Sequence, residues 1–421
     1  MCIRDRNNLP KTKAYVTGIG VVSPLGEDIK TYWSNLIAGQ SGIGKMTLCD
    51  PEEFPSKIAG EVNTFRPENY IDKKESKRMA RFSQMAVAAA AMAIENSNLK
   101  LSTKEKTSTA VIIGNGNGGF PELEYNSRLQ VTKGEMKISP YFIPMILPNM
   151  AAANISRTFG FQGFSSTVVT ACAASTQSIG DAAQLINNGL CDVVLAGGCE
   201  AGISKLGLGG FSALRALSTN NDNPEKASRP FDSLRDGFVP SEGAGILILE
   251  SESHALKRNA NVFCEIAGMG VSSDAYHPVQ PDPSGSGAIL AMQRAMQSAN
   301  INIDDIDYIN AHGTSTPLND ACETNAIKKT FKDKAYKIPI SSTKSMIGHA
   351  LGGAGALEAI ATILSIINQK AHPTINLENP DPECDLNYIP NKSQNIKIKH
   401  AMSNNFGLAV QNASNNIKKD D

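Results

Sequence analysis

The stretch Val168-Val169-Thr170-Ala171-Cys172-Ala173-Ala174-Ser175 joins an apolar β-branched run to a helical pattern, and the rest of the chain is organised around it. Residues 166–171 have the length and β-branched content of a buried strand. After the cysteine, apolar residues recur at helical spacing until Gly189. A cysteine at such a junction faces backbone N–H groups and the positive end of the helix dipole, which favour the thiolate. Cys172 is therefore a candidate nucleophile; the alternative is a small apolar core residue, because cysteine is often fully buried.

Composition limits the possible functions. The 421 residues suffice for two domains or one large duplicated domain. Because 40 Lys and Arg face 41 Asp and Glu, no overall field favours nucleic acid or a membrane surface. The eight cysteines are scattered, without a C-x-x-C pair or a metal-ligand spacing, which predicts reduced thiols and no metal or other cofactor. No apolar run reaches the ~20 residues of a membrane span, so we expect a soluble, cytoplasmic protein.

Strand and helix patterns alternate along the chain, which favours an α/β architecture with buried sheets. Residues 110–113 read as a buried strand that ends in the loop Gly114-Asn115-Gly116-Asn117-Gly118-Gly119. This loop lacks the GxGxxG spacing and the P-loop lysine, so nucleotide binding is disfavoured. From about Val262 the order of elements begins again, and the second half echoes the first without a residue-level repeat.

Two of the six histidines follow predicted strands. His312 lies in Asn310-Ala311-His312-Gly313-Thr314-Ser315-Thr316-Pro317, and His349 precedes a glycine-rich helix. Carboxyl ends of parallel strands share one edge of a sheet, so both are expected near Cys172. Taken alone, either histidine is more commonly a hydrogen-bonded structural residue.

A thiolate with two imidazoles suits carbon–carbon bond formation on thioesters. The cysteine accepts the acyl group, and N–H donors stabilise the enolate oxygen formed when a second thioester decarboxylates. A cysteine protease also needs a cysteine and a histidine, but it has no use for the second histidine, and no peptide-binding signature is present.

Three segments, in this order, resemble the β-ketoacyl-[acyl-carrier-protein] synthases, and most of all the chain-elongating synthase II type. They are Thr170-Ala171-Cys172-Ala173, Asn310 to Pro317, and Thr343-Lys344-Ser345-Met346-Ile347-Gly348-His349. The similarity extends from about Lys13 to Phe406, and such ordered coverage is far more specific than any single motif.

The resemblance implies a thiolase-like fold: two pseudo-duplicated halves in α-β-α-β-α layers, with two five-stranded mixed sheets. It divides the chain into an N-terminal half, 13–260, and a C-terminal half, 261–412. Residues 1–12 and 413–421 are expected to be flexible or aberrant tails. It also implies a homodimer.

The resemblance assigns roles to individual residues. Cys172 is acylated from acyl carrier protein, and His312 and His349 bind the malonyl thioester oxygen and assist decarboxylation. Lys344 and Glu358 support the histidines. The backbone N–H groups of Cys172 and Leu408 form the oxyanion hole. Five basic residues match positions where the family meets the acidic carrier protein: Lys74, Lys77, Arg78, Lys137 and Arg215.

Three departures from the family pattern concern the acyl pocket and the C-terminus. Phe406-Gly407-Leu408-Ala409-Val410-Gln411-Asn412 replaces Phe-Gly-Phe-Gly-Gly-Thr-Asn, so Leu408 stands where a second phenylalanine gates the pocket beside Phe406. A β-branched residue in place of a glycine is strained where φ is positive. Asn117 stands where an apolar residue lines the acyl tunnel, and residues 413–419 lack the apolar character of the family's last strand.

The leading hypothesis is therefore decarboxylative Claisen condensation of an acyl group held on Cys172 with malonyl-[acyl-carrier protein], which elongates the chain by two carbons in fatty-acid biosynthesis. A stand-alone ketosynthase for a polyketide or an unusual lipid is the first alternative, which Asn117 and Leu408 favour. A non-catalytic chain-length-factor-like partner is the second, and the presence of Cys172 argues against it.

Overall fold

Strands and helices alternate as their hydrophobic patterns predict, and the computed structural model describes residues 12–407 and 411–420. The strands are β1 Ala14–Val22, β2 Ile43–Lys45, β3 Ile58–Gly60, β4 Ala110–Gly114, β5 Ser165–Val168, β6 Val193–Glu200, β7 Gly243–Ser251, β8 Cys264–Ser273, β9 Tyr308–Asn310, β10 Ile340–Ser341, β11 Lys370–Ala371, β12 Gln394–Asn395, β13 His400–Phe406 and β14 Gln411–Lys418.

The helices connect these strands. They are α1 Ile29–Ala38, α2 Lys73–Ser76, α3 Arg81–Asn96, α4 Thr103–Lys106, α5 Phe120–Lys133, α6 Phe142–Ile146, α7 Met150–Phe159, α8 Ala174–Asn187, α9 Lys205–Ala213, α10 Glu252–Lys257, α11 Ser286–Ala299, α12 Pro317–Phe331, α13 Lys344–Ile347 and α14 Ala354–Asn368. Two 3₁₀ turns, Ala171–Ala173 and Leu351–Gly353, immediately precede α8 and α14.

The main sheet reveals the duplication that the sequence only suggests. Its order is β10-β9-β13-β14-β8-β1-β7-β6-β4-β5, so five strands of the C-terminal half lie beside five of the N-terminal half. Numbered within its own half, each set has the order 3-2-4-5-1, and parallel and antiparallel pairs fall at the same places. The two sets join only where Tyr15 and Val16 of β1 pair with Glu265 and Cys264 of β8.

Helices form three layers around these two sets of strands. α8 and α14 lie between the sets and contact strands of both, while α3 covers β1 and β7, and α11 covers β8 and β14. The two central helices approach closely, since a Cβ added at Gly355 would lie 2.0 Å from Thr176 Oγ1. The predicted α-β-α-β-α layering is confirmed.

One apolar segment has the composition of a membrane span but belongs to the core. Leu351–Asn368 is 18 residues long, and 83% of it is buried inside the protein. The segment includes α14, which both halves cover, so its apolar character serves packing.

The expectation of a flexible or aberrant tail over 413–421 is wrong for residues 413–418. These residues form most of β14, which lies between β13 and β8 and is largely buried. The strand tolerates its polar side chains because they are hydrogen-bonded: Ser414 Oγ donates to Asn404 Oδ1 at 2.8 Å, and Asn415 Nδ2 donates to the Thr176 carbonyl at 2.8 Å. Residues 1–11 of the other predicted tail lie outside the described residues.

Candidate active site

Cys172 lies in the 3₁₀ turn that follows β5, two residues before the start of α8. Its side chain is buried, and the preceding residue, Ala171, has a φ of 48°, which is rare for a residue with a Cβ. The turn holds the thiol at the amino end of a 14-residue helix, where the helix dipole favours negative charge.

His349 lies in the corresponding connection of the second half, after β10 and before the turn that leads into α14. Its backbone N–H donates to the Val239 carbonyl at 2.8 Å, and the Phe238 ring packs edge-on, with ring centroids 5.3 Å apart. Nε2 lies 3.0 Å from Cys172 Sγ. The Leu351 N–H donates to Nδ1 at 3.2 Å, so in the neutral ring the proton lies on Nε2 and faces the sulfur.

His312 follows β9 and completes the cluster. Its ring centroid lies 5.4 Å from that of His349, and nitrogen atoms of both rings and Cys172 Sγ all lie within 4.8 Å of one another. Lys344 Nζ lies 3.2 Å from His312 Nδ1. Because an ammonium group only donates, His312 also carries its proton on Nε2.

Lys344 and Glu358 form a buried ion pair behind His312. Asn405 Nδ2 donates to the second carboxylate oxygen of Glu358 at 2.8 Å. Burial raises the pKa of Glu358, while Lys344 and Asn405 act against that rise. The predicted proximity of Lys344 and Glu358 to the histidines is therefore present, with Lys344 in direct contact with one of them.

Both histidines are held in the neutral state. Burial is the main cause that lowers the pKa of each ring well below its usual value, and the Lys344 charge lowers both further. For His312 the neighbouring His349 adds to this effect, and the Asn405 side chain opposes it. At neutral pH the site therefore presents N–H donors rather than imidazolium acids.

A cysteine and two histidines are also common zinc ligands. Here, however, the contacts at both Nδ1 atoms place the ring hydrogens on Nε2, so His349 directs a hydrogen toward the sulfur rather than a lone pair. This arrangement suits hydrogen-bond donation to an oxygen that becomes negatively charged.

The sequence analysis missed Glu323 and Asn405. Glu323 in α12 is buried and accepts the backbone N–H groups of His312 and Gly313, each at 2.8 Å. Burial raises its pKa to about 7. Two features of the sequence could have indicated them: an acidic residue on the same helix face as Ile327 and Phe331, and the polar run Ser403-Asn404-Asn405 inside a strand.

The predicted acyl-pocket residues are brought together only in part. The Phe406 ring centroid lies 6.0 Å from that of His312. Asn117 lies beside Gly202, which lines a cavity of about 10 Å³ together with Phe211 and Leu351. Asn117 Nδ2 is buried without a hydrogen-bond partner in the described residues. Leu408, Ala409 and Val410 lie outside the described residues, and the flanking Gly407 N–H donates to the Gln411 carbonyl at 2.7 Å.

The predicted carrier-protein residues lie at the surface to different extents. Lys74, Lys77, Lys137 and Arg215 are exposed, and Arg78 is half-buried. The Arg78 guanidinium lies 5.1 Å from the Tyr141 ring centroid and is ion-paired with Glu75 at 2.7 Å. These contacts place Arg78 near the segment that carries Lys137.

The duplicated layers and the Cys172-His312-His349 cluster define a thiolase-like acyltransferase. The family profile of the β-ketoacyl synthase N-terminal domain matches residues 12–255, and that of the β-ketoacyl synthase C-terminal domain matches residues 263–378. The chain belongs to the β-ketoacyl synthase family, which confirms the resemblance seen in the sequence.

Two curated relatives are both named 3-oxoacyl-[acyl-carrier-protein] synthase 2. The protein of Coxiella burnetii is 46% identical over 406 residues, which are 96% of this chain and 98% of the relative. The protein of Staphylococcus aureus strain COL is 46% identical over 407 residues, 97% of this chain and 98% of the relative. The chain is thus a ketosynthase, and these relatives support chain elongation in fatty-acid synthesis.

Solved structures agree with the fold. One chain matches in the structure of a type II polyketide synthase acyl-carrier protein in complex with its ketosynthase. Its TM-score is 0.90 at 35% identity, and the match covers 98% of this chain and 100% of that one. A β-ketoacyl synthase from Burkholderia phymatum has a TM-score of 0.91 at 32% identity, covering 97% and 100%.

Proposed function

We propose that Cys172 is the acyl acceptor in a decarboxylative Claisen condensation. Its sulfur attacks the thioester carbonyl of an acyl-carrier protein, and the carrier's thiol leaves. Malonyl-carrier protein then loses carbon dioxide, and the electron pair of the broken carbon–carbon bond forms an enolate. The enolate carbon attacks the acyl carbonyl, and the carbon–sulfur bond breaks to return the thiolate and release a chain two carbons longer.

The observation that carries this proposal is the neutral Nε2–H of His349, 3.0 Å from Cys172 Sγ, with a second buried imidazole beside it. Decarboxylation places negative charge on the thioester oxygen, and preorganised N–H donors stabilise it. Lys344 and Glu358 orient His312 for this role. The N–H groups of Cys172 and Leu408 complete the proposal as the oxyanion hole for the acyl carbonyl.

The other described cysteines are poor competitors for acylation. Burial raises the pKa of Cys49, Cys191, Cys322 and Cys384 to about 11, and raises those of Cys199 and Cys264 as well. Thiolates are the nucleophilic form, so these thiols react slowly at neutral pH.

Mass spectrometry tests the assignment. Incubation with a hexanoyl- or longer acyl-carrier protein adds one acyl group to the wild type and none to Cys172→Ala. Cys384→Ala is the matched control and acylates as the wild type does. Acylation that persists in Cys172→Ala contradicts the proposal.

We also propose that the carrier protein docks on Lys74, Lys77, Arg78, Lys137 and Arg215. Clustered positive charge on a chain of formal net charge −1 attracts an acidic partner locally and speeds association. Affinity should weaken from 0.05 to about 0.5 M salt, since the Debye length falls severalfold over that range. Lys74→Glu should reduce both affinity and its salt dependence, while Lys397→Glu, a charge reversal at an exposed position of the C-terminal half, should change neither.

A homodimer is the proposed assembly. β5 ends the main sheet with one edge unpaired in the described residues, and its flanking Phe164 and Val169 are 58% and 52% exposed. An exposed apolar sheet edge is a typical pairing surface. Phe164→Asp combined with Val169→Asp should give monomers in analytical ultracentrifugation, while Leu256→Asp, at a residue 66% exposed elsewhere, should leave the dimer intact.

A polyketide or unusual-lipid ketosynthase remains the second candidate because the unpartnered Asn117 amide lies beside the small cavity. Saturated acyl chains would leave that amide unsatisfied, which costs free energy. Competition between hexanoyl- and 3-oxohexanoyl-carrier protein separates the candidates: preference for the saturated chain supports fatty-acid synthesis. The chain-length-factor alternative is weaker, since Cys172 lies in contact with His349.

The proposal also includes a cytoplasmic location and a division of the chain into two halves, 13–260 and 261–412.

A further inference from the structure

Glu200 is a buried carboxylate that the condensation mechanism does not use. Glu200 is the last residue of β6, it is fully buried, and it forms no ion pair in the described part of the chain. Its oxygen atoms accept only backbone N–H groups: from Gly116 at 2.9 Å, from Asn117 at 3.3 Å, and from Gly352 at 3.1 Å.

A carboxylate in this environment costs free energy, because burial without a cation disfavours the charged form. Burial raises the pKa of Glu200 to about 7, although the backbone N–H groups act against the rise. Thus Glu200 loses its proton within the working range of a cytoplasmic enzyme. A glutamine of the same shape would avoid the charge and its cost.

The contacts of Glu200 connect two segments next to the reaction centre. Gly116 and Asn117 belong to the loop after β4, beside the small cavity. Gly352 belongs to the turn whose Leu351 N–H donates to His349 Nδ1. The segments meet directly, since a Cβ added at Gly352 would lie 2.3 Å from the Gly116 nitrogen, and only a small residue allows this approach.

We propose that Glu200 is a positioning residue: its ionised carboxylate holds the Leu351–Gly353 turn and thereby keeps His349 Nε2–H aimed at the reacting oxygen. The proposal rests on the role given above to His349. When Glu200 gains a proton, one oxygen becomes a donor, and an N–H that faced it loses its acceptor. The turn then loosens, and decarboxylation slows.

Few other titratable groups lie on the elements around Glu200. Cys199 is next to it on β6, and burial raises the pKa of that thiol too. On the paired strand β7, the residue before Gly243 is Glu242, which is ion-paired with Arg81 at 2.7 Å. The loop after β4 contributes amides, and the turn before α14 follows His349, whose pKa is lowered well below its usual value. Among these groups, Glu200 is the one whose pKa lies at about 7.

The test is the pH profile of carbon dioxide release from malonyl-carrier protein, for the wild type and Glu200→Gln. We expect the wild-type rate to be about tenfold lower at pH 6 than at pH 8, as a single group with a pKa near 7 requires. Glu200→Gln resembles the protonated state and should give a low rate from which the Glu200 step is absent. Cys172 and Glu323, whose pKa burial also raises to about 7, are present in both proteins, so the difference between the profiles reports Glu200.

Three further variants make the outcome decisive. Glu250→Gln removes a buried carboxylate at the opposite end of the β6–β7 pair, and should keep the wild-type profile even where thermal unfolding shows destabilisation. Glu200→Asp keeps the charge but moves it away from the backbone N–H groups, because aspartate is shorter. It should shift the midpoint of the pH profile, and this provides a readout if the glutamine variant does not fold. His349→Ala must abolish most release; if it does not, the proposed function fails first. If His349→Ala does abolish most release, an unchanged midpoint of the pH profile in the Glu200 variants overturns the inference.

Discussion

The two halves of the molecule share one strand order, yet they supply different chemistry to the same site. In the N-terminal half the connection after the third strand carries Cys172 in its 3₁₀ turn, and in the C-terminal half the corresponding connection carries His349 just before its 3₁₀ turn. The loop after the second strand is glycine-rich in the first half and carries His312 in the second. Each of these loops donates backbone N–H groups to a buried glutamate, Glu200 in one half and Glu323 in the other.

The comparison shows which parts of a duplicated fold are scaffold and which are free to differ. In both halves a buried carboxylate accepts N–H groups of the loop after the second strand, but it comes from the end of β6 in one half and from α12 in the other. Side chains in these connections differ, and the proposed condensation accounts for the difference because it uses one nucleophile and two donors. The C-terminal half also contains the Lys344–Glu358 pair, which adjusts the charge around the histidines.

The largest expected effect breaks the charge pair of the C-terminal half. Lys344→Met leaves Glu358 as an unpaired buried carboxylate and should lower the free energy of unfolding by about 3–5 kcal/mol. The double variant Lys344→Met/Glu358→Gln should recover much of that stability, while its condensation rate stays low because His312 has lost its Nδ1 donor. Urea unfolding and turnover measure the two effects, and equal stability of the single and double variants would contradict this account.

The second prediction compares the two histidines. Replacing either by alanine should reduce malonyl decarboxylation by ~10² or more, the usual scale for one lost oxyanion donor. His349→Ala should slow acylation of Cys172 as well, since its Nε2 contacts Sγ, whereas His312→Ala should leave acylation near the wild-type rate. Near-normal carbon dioxide release from both variants would contradict a role for the two imidazole N–H groups in decarboxylation.

The third prediction concerns the loop beside Phe406. Strained backbone costs on the order of 1–3 kcal/mol, roughly ten- to a hundredfold in a rate if it falls on a gating step. Replacing Leu408-Ala409-Val410-Gln411 by Phe-Gly-Gly-Thr should therefore raise condensation at least ~10-fold. Single-turnover kinetics with pre-acylated enzyme isolates that step. If both forms turn over equally, the loop imposes no handicap.

The smallest expected effect concerns Glu250, a buried glutamate that, unlike Glu200, has cationic partners. Arg258 and His254 bind Glu250 and hold its pKa at about 2 against its burial. Glu250 raises the pKa of His254, so this pair stabilises the fold below the ordinary histidine pKa, and the contribution is lost as pH rises through the higher folded value. Urea unfolding from pH 5 to 9 should show a fall in stability that His254→Gln lacks. An identical pH dependence in the variant would refute the pairing.

Sequence patterns predicted most of what is local. The strand before Cys172, the histidine loops and the layered α/β class follow from periodicity and from motifs that occur in order. The Lys344–Glu358 pair came from resemblance, because a separation of 14 positions does not by itself show that α13 and α14 bring the two side chains together.

Contacts that depend on the whole fold escaped prediction. β14 reads as a polar tail, yet Ser414 bonds to Asn404 of the neighbouring strand β13, and Asn415 bonds to Thr176 of α8, which is 239 positions away in sequence. Glu323 and Glu200 look like ordinary surface acids until the loops that donate to them are in place. A hydropathy pattern shows whether a side chain is polar, but it does not show whether that side chain has a hydrogen-bond partner inside the folded protein.

The position of β14 also limits the order in which the sheet can form. β14 lies between β13 and β8, so each of those strands keeps an open edge until β14 fills the gap between them. Open edges invite pairing with other chains. A folding intermediate in which β14 has not yet paired would therefore be an aggregation hazard.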